Sequence, residues 1–66
     1  MFEYMNIEEL QSLAYDTLSY QDWIELRNNE YVGNTYYNGI VDGSSCYSFD
    51  IIENGKLIDN IIVFGL

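Results

Sequence analysis

The chain has 66 residues, and eleven acidic side chains against two basic ones give a net charge of −9, with no histidine. This length allows one domain, residues 1–66, with a small core, and the charge disfavours direct binding to nucleic acid or to anionic membranes. Hydrophobic residues make up 48% and aromatic residues 17%; the chain is too apolar for a disordered acidic segment, so we expect it to fold.

Asn6 predicts the start of a first helix. Asparagine is a favoured N-cap residue, and Glu9 three positions later completes a pattern like a capping box. The apolar side chains that follow have the spacing of one buried helix face, and they are Ile7, Leu10, Leu13, Ala14, Thr17 and Leu18.

Ser19 predicts the cap of a second, short helix, with Asp22 at its third position. One bent helix running through Ser19 would fit the same pattern. Asn28-Asn29 is expected to end this segment. The side chains expected to be buried are Trp23, Ile24 and Leu26.

From Tyr31 onward the chain is rich in turn signals and β-forming residues. Asn38-Gly39 and Asn54-Gly55 both predict hairpin turns, because both central residues of a type I′ turn need positive φ. Asp42-Gly43-Ser44 is a further turn candidate. The expected strands lie near Tyr36–Val41, Cys46–Ile52 and Leu57–Phe64. The predicted fold class is therefore α+β, with two N-terminal helices packed on a three-stranded antiparallel β-meander.

A two-residue loop at Asn54-Gly55 also predicts which side chains share a face of the sheet. The face expected under the helices carries Tyr47, Phe49, Ile51, Ile58 and Ile62. The opposite face carries Cys46, Ser48, Asp50, Ile52, Leu57, Asp59, Ile61 and Val63. Because this opposite face is half apolar, it is a candidate dimer surface.

The same register places Asp50 directly across from Asp59. Like charges in this position destabilise a sheet by roughly 0.2–1 kcal/mol, so the pair could present a fixed anionic site for a partner. The alternatives are a register that differs by one residue, or two solvated carboxylates at an edge.

The common catalytic constellations are missing from the sequence. Without histidine the commonest general base is absent, and no Cys–His or Ser–His pair can form. The five glycines do not form a phosphate-binding loop, and Asp42-Gly43-Ser44 lacks the ligand spacing of a calcium loop. We expect no catalytic residue, no cofactor, no specific metal site and no enzyme activity.

Cys46 is the only cysteine, so no disulfide can form within one chain, which favours a reducing compartment. The first ten residues lack the basic and apolar regions of a secretory signal. No apolar run approaches the about 20 residues that span a bilayer. These features predict a cytoplasmic protein that does not bind a membrane.

The acidic side chains are spread along the whole chain and form the candidate partner-binding surface. Glu9 and Asp16 would share one helix face, about 10 Å apart from the helical rise per residue. An ordinary solvated surface that keeps the protein soluble is the alternative interpretation. The candidate partner-binding residues are Glu8, Glu9, Asp16, Asp22, Glu25, Asp50 and Asp59.

Seven tyrosines are too many for so small a core. Tyrosine is enriched at interfaces, where its ring packs and its hydroxyl forms hydrogen bonds, and partner Arg or Lys side chains can stack on exposed rings. Partly buried positions at the rim of the core are the alternative. The tyrosines are Tyr4, Tyr15, Tyr20, Tyr31, Tyr36, Tyr37 and Tyr47.

In size, charge and aromatic content, and in its lack of catalytic groups, the whole chain resembles the small acidic proteins with which phages mimic DNA. The resemblance rests on no diagnostic motif. It implies a compact, often dimeric inhibitor whose carboxylates stand in for phosphates on a basic DNA-binding protein of a bacterial host, in the host cytoplasm. The favoured target is a nucleoid-associated protein such as HU.

A second hypothesis is a specific protein-interaction inhibitor, such as an immunity or antitoxin-like module. Such a protein would combine an acidic patch with an aromatic anchor such as Trp23, and DNA would not displace it from its partner. Under either hypothesis we expect a homodimer, because a chain of this length buries little surface alone.

Overall fold

A computed structural model describes residues 2–66, apart from the side chain of residue 3. A single sheet holds four strands in the order β1-β4-β3-β2, with β1 parallel to β4 and the other neighbours antiparallel. The elements are a 3₁₀ turn Phe2–Tyr4, α1 Ile7–Gln11, β1 Thr17–Leu18, α2 Tyr20–Leu26, β2 Val32–Val41, β3 Ser44–Glu53 and β4 Lys56–Gly65. The predicted fold, two helices on a three-stranded antiparallel meander, is therefore wrong, because the sheet is four-stranded and mixed.

The first helix begins where its cap predicts but ends early. The Asn6 side chain accepts a hydrogen bond from the Glu9 N–H at 2.8 Å. After Gln11 the chain leaves the helix, and Tyr15 takes a φ of 66°. The Tyr15 N–H donates to the Ile62 carbonyl at 2.7 Å, and the Leu66 N–H donates to the Leu18 carbonyl at 3.0 Å. Pairing with β4 thus replaces the last part of the expected helix.

The second helix is separate from the first and is capped as predicted. The Ser19 hydroxyl accepts a hydrogen bond from the Asp22 N–H at 3.2 Å. The helix ends at Leu26, ahead of the expected stop. Asn29 is buried and donates from Nδ2 to the Phe2 and Met5 carbonyls. It therefore ties the N-terminal segment to the end of the helix.

Two of the predicted turns connect the three long strands. Asp42-Gly43 and Asn54-Gly55 have positive φ at both positions and link β2 to β3 and β3 to β4. Asn38-Gly39 is not a hairpin turn. It lies inside β2 at a register shift, where Gly39 has a φ of 86°, as a β-bulge with a left-handed glycine requires.

A second bulge changes the side of the sheet on which the β4 side chains lie. The register shifts at Ile58, so that Ile51 pairs with Asp59 and Asp50 pairs with Asn60. The predicted sides of β3 are correct, but those of β4 beyond the bulge are reversed: Ile61 and Val63 are buried in the core and Ile62 is exposed.

The helices cover one face of the sheet and form a single core with it. The Trp23 ring lies 4.7 Å from the Tyr47 ring and 6.4 Å from the Phe49 ring, measured between centroids. This contact shows that alternate β3 residues from Tyr47 to Ile51 face the helices. The buried cluster consists of Leu10, Leu13, Leu18, Trp23, Leu26, Val32, Phe49, Ile51, Ile61 and Val63.

Candidate partner-binding surfaces

Six of the seven acidic residues predicted to bind a partner lie on the side of the sheet that carries the helices. We call this set the acidic layer. Its Asp59 carboxylate accepts a hydrogen bond from Gln11 Nε2 at the end of α1, at 3.4 Å. The members are Glu8 and Glu9 on α1, Asp16 before β1, Asp22 and Glu25 on α2, and Asp59 on β4.

Two members of the acidic layer, Asp16 and Asp59, are positioned by strand β4 rather than by one long helix. Glu9 and Asp16 do not share a helix face as predicted, because α1 ends at Gln11. Asp16 instead lies beside Phe64, whose N–H donates to the Asp16 carbonyl at 3.1 Å. Phe64 is five positions beyond Asp59, which corresponds to about 17 Å along an antiparallel strand. Asp16 and Asp59 are therefore separated along β4 by about half of the longest dimension of the molecule, 35 Å.

Asp50 is the one predicted acidic residue that lies on the opposite face of the sheet. Its carboxylate accepts a hydrogen bond from Asn60 Nδ2 at 2.8 Å and another from the Tyr36 hydroxyl at 2.9 Å. The bond to this carboxylate raises the pKa of Tyr36 above its ordinary value of 10.0. Neutral donors on both neighbouring strands thus surround the charge.

The predicted Asp50–Asp59 pair does not exist. The bulge at Ile58 shifts the register by one residue, and the two carboxylates fall on opposite faces of the sheet. The alternative of a register that differs by one residue is therefore the one that the structure adopts, and the expected like-charge repulsion is absent.

Most of the tyrosines are exposed, whereas the tryptophan is buried. Tyr4, Tyr15, Tyr20, Tyr36 and Tyr37 are exposed, and Tyr31 and Tyr47 are half-buried. Trp23 is buried against Tyr47 and belongs to the core. It cannot serve as the exposed aromatic anchor that the second hypothesis assigned to it.

Tyr15 combines an unusual backbone with an exposed ring. Its φ of 66° lies in the left-handed region, which a bulky side chain occupies at a cost of roughly 1–2 kcal/mol. Its side chain is 73% exposed, so burial of the ring offsets little of this cost. Backbone strain of this kind clusters at functional sites, and Tyr15 directly precedes Asp16 of the acidic layer.

The face of the sheet away from the helices forms a second candidate surface, which we call the open face. No helix covers it in residues 2–66. Among the side chains that the structure describes, Asp50 is the only acidic residue on the open face, and none there is basic. Its members are Tyr36 and Asn38 on β2, Cys46, Ser48, Asp50 and Ile52 on β3, and Leu57, Asn60, Ile62 and Phe64 on β4.

The centre of the open face is built from short side chains between larger ones. Asn38 Nδ2 donates to the Ser48 hydroxyl at 3.2 Å, and its distance to the Cys46 sulfur is 3.9 Å. Both Cys46 and Ser48 are buried among their neighbours, although no helix covers them. The centre of this face therefore presents amide, hydroxyl and apolar groups.

Three further acidic residues, which the candidate set omitted, are exposed. Glu30 precedes β2, Asp42 lies in the first hairpin turn, and Glu53 ends β3. The turn signal at Asp42-Gly43 already indicated an exposed tip. The consecutive polar residues Asp59 and Asn60 interrupt the alternation of β4, and this interruption was the available signal for the bulge.

Residues 2–66 form no pocket, and no group of three or more Cys, Asp or Glu side chains among them is arranged to hold a metal ion. The longest helix in the same residues is α2, with seven residues, and no helix there has the length and apolar character that a bilayer crossing needs. Comparison with protein-family models, curated proteins and solved structures finds no match to the chain.

Proposed function

We propose that the chain is a non-catalytic, phage-type DNA mimic that inhibits a DNA-binding protein of a bacterial host. The acidic layer occupies the basic surface on which that protein binds DNA, in the host cytoplasm. The favoured target is a nucleoid-associated protein such as HU. The observation that carries the proposal is the segregation of charge, with six candidate carboxylates on the helix side and one on the open face.

The density of charge supports this proposal. Duplex DNA carries one negative charge per about 1.7 Å of axis, or about 20 charges over 35 Å. The chain carries a net charge of −9 over a longest dimension of 35 Å. A single copy thus has a little under half the linear charge density of DNA, with the sign that a basic surface attracts.

The choice of target follows from how such proteins recognise DNA. Architectural proteins of the HU type bind DNA through charge and deformability, with little reading of base edges. An inhibitor therefore needs carboxylates at suitable positions rather than an imitation of base edges. Tyr15 adds an exposed ring next to Asp16, on which an arginine of the partner can stack.

Displacement of a fluorescent duplex from a purified HU-type protein tests the proposal. The first variant neutralises part of the acidic layer with Glu8→Gln, Glu9→Gln and Asp16→Asn. The matched control neutralises three exposed carboxylates outside the layer with Glu30→Gln, Asp42→Asn and Glu53→Gln. Each variant changes the net charge by the same amount, from −9 to −6.

We expect the wild-type chain to displace the duplex and the first variant to require at least about tenfold more protein than the control, a difference of about 1.4 kcal/mol. Circular dichroism checks that both variants fold, since Glu8 and Glu9 also favour the start of α1 through the helix dipole. Equal losses in the two variants would contradict the role of the acidic layer. A wild-type chain that leaves the duplex bound would contradict HU-type mimicry.

A second candidate function is a specific protein-interaction inhibitor that DNA does not displace. The observation that favours it is the exposure of Tyr4, Tyr15, Tyr20 and Tyr37, which is more aromatic surface than charge imitation requires. Exposed tyrosines are typical of interface anchors. Competition with DNA separates the two functions, because a partner bound through the tyrosines need not bind DNA.

A further inference from the structure

We infer that the open face is a self-association surface and that its occupant is a second copy of this chain, stacked sheet against sheet. The inference uses only the isolated chain and does not depend on the proposed function. It starts from a contrast within the described part of the molecule: of its ten acidic side chains, that is, the eleven of the sequence without Glu3, the open face carries one.

The low charge of the open face indicates which kind of partner can bind there. A basic partner would find one carboxylate there, and two neutral donors, Tyr36 and Asn60, already bind it. Nucleic acid and anionic membranes are repelled by the net charge of −9. A second copy that meets this face with its own open face keeps both acidic layers on the outside, where solvent screens them.

The apolar content of the face fits the same occupant. Leu57 is 64% exposed and Ile62 is 37% exposed on β4, and Ile52 and Phe64 are half-buried beside them. Stacked sheets pack with their inner side chains interdigitated about 10 Å apart. Such packing would remove these side chains from water, and each copy would bring one described acidic residue into the contact, the hydrogen-bonded Asp50.

The edge of the sheet is a poorer surface for a second copy. Strand β2 forms this edge, and its register shifts twice, between Val32 and Thr35 and between Tyr37 and Ile40. Bulges interrupt the regular row of backbone groups that edge-to-edge pairing needs, and they are a common protection against it. The opposite edge is the two-residue strand β1.

The size of the face predicts a reversible dimer. A ten-residue strand is about 33 Å long, and three strands side by side are about 14 Å wide. The planar area is therefore roughly 460 Å² per copy, and side-chain relief makes the accessible area larger. The total area buried on the two copies is therefore about 1,000 Å², which is near the lower limit for a specific interface. We therefore expect dissociation on dilution rather than a permanent dimer.

Such a dimer would also bring the charge density close to that of DNA. Aligned sheet packing keeps the strand directions of the two copies within about 30°, so the two long axes run side by side. Two copies carry 2 × −9 = −18 along the same 35 Å. Duplex DNA of this length carries about 20 negative charges.

Sedimentation equilibrium of the pure chain over a range of concentrations tests the inference, without partner or DNA. The variants Ile62→Glu and Leu57→Glu each add one charge to the open face. Leu57 is largely exposed, so its replacement tests the face even where Ile62→Glu impairs folding. The matched control is Ile40→Glu, at a 65% exposed strand position that pairs with Ser45 and lies on the other side of the sheet.

We expect wild type and Ile40→Glu to dimerise alike, and Leu57→Glu and Ile62→Glu to raise the dissociation constant at least tenfold. Circular dichroism confirms that the variants are folded. A wild-type chain that stays monomeric up to millimolar concentration would overturn the inference. A dimer equally sensitive to Ile40→Glu, or insensitive to both open-face variants, would place the contact elsewhere and would also overturn it.

Discussion

Added salt should strengthen the inferred dimer, although it should weaken binding to a basic partner. The dimer brings together two chains of the same charge, −9 each, through a face that is nearly uncharged. Salt screens the repulsion between the acidic layers and leaves the apolar contact intact. The salt dependence of partner binding has the opposite sign, because attraction between opposite charges drives that binding.

The geometry gives the size of the effect. The thinnest dimension of the chain is 17 Å, so two stacked copies with their side chains have centres about 20 Å apart. Two charges of −9 at this distance repel by about 17 kcal/mol in water without salt. At 0.15 M salt the Debye length is about 8 Å, and screening reduces this repulsion to about 1.4 kcal/mol. At 1 M salt the Debye length is about 3 Å, and the repulsion becomes negligible.

Raising NaCl from 0.15 to 1 M should therefore lower the dimer dissociation constant by about tenfold. Sedimentation equilibrium at the two salt concentrations measures this constant. The variant Leu57→Glu should have a dissociation constant at least tenfold above that of wild type at both salt concentrations, so general salting-out, which would act on both proteins alike, is distinguished from association through the open face. A dissociation constant that rises with salt would show that opposite charges hold the two copies together, and the face-to-face arrangement would be refuted.

Three further predictions concern single side chains. Gly65→Ala would place Cβ 2.7 Å from the Tyr47 ring, whereas Gly33→Ala would place it 3.0 Å from the Ile52 Cγ2 methyl group. Urea unfolding followed by the fluorescence of the single tryptophan should show a loss of about 1–3 kcal/mol for the first variant and a smaller loss for the second, and equal losses would contradict the packing. Tyr15→Asn should stabilise the fold by about 1 kcal/mol, because asparagine tolerates positive φ. The same variant should weaken partner binding, and unchanged binding would show that Tyr15 is not part of the interface. The stability that the Tyr36–Asp50 hydrogen bond contributes should be complete below pH 10 and lost as pH rises through the raised pKa of Tyr36. In the variant Asp50→Asn, NMR titration of the Tyr36 ring should give a lower pKa than in wild type. An unchanged pKa would refute the hydrogen bond to Asp50 as the cause.

Local capping and turn chemistry could be read from the sequence. Asn6 and Ser19 cap the two helices through their side chains, and Asn54-Gly55 forms a two-residue turn with positive φ at both positions. These features depend on interactions between residues three or fewer positions apart, so the local sequence contains the information that determines them.

The end of the first helix could not be read in the same way. Leu13 and Leu18 fit a helical face and are buried, but Thr17–Leu18 is a strand paired with β4. Five residues of helix have little stability of their own, so a parallel pairing with a strand about 47 positions later decides the outcome. Periodicity alone does not report such a distant contact.

The predicted sheet register was wrong because β4 contains one extra residue at a bulge. The bulge at Ile58 moved Asp59 to the helix side and Ile62 to the open face, because a shift of one residue exchanges the two faces of a strand. The predicted register placed Asp50 and Asp59 on one face, whereas the structure divides the seven candidate carboxylates between the two sides of the sheet. Their division between the acidic layer and Asp50 became visible only with the register.

Competition between partner and DNA tests the central claim most directly. The tagged chain is incubated with bacterial lysate at low salt, and bound proteins are then eluted with duplex DNA of unrelated sequence. DNA mimicry predicts that a basic DNA-binding protein is captured and that the duplex releases it. Captured proteins that stay bound through the DNA wash and leave only at high salt would contradict mimicry, because they would bind the chain through a surface that DNA does not share.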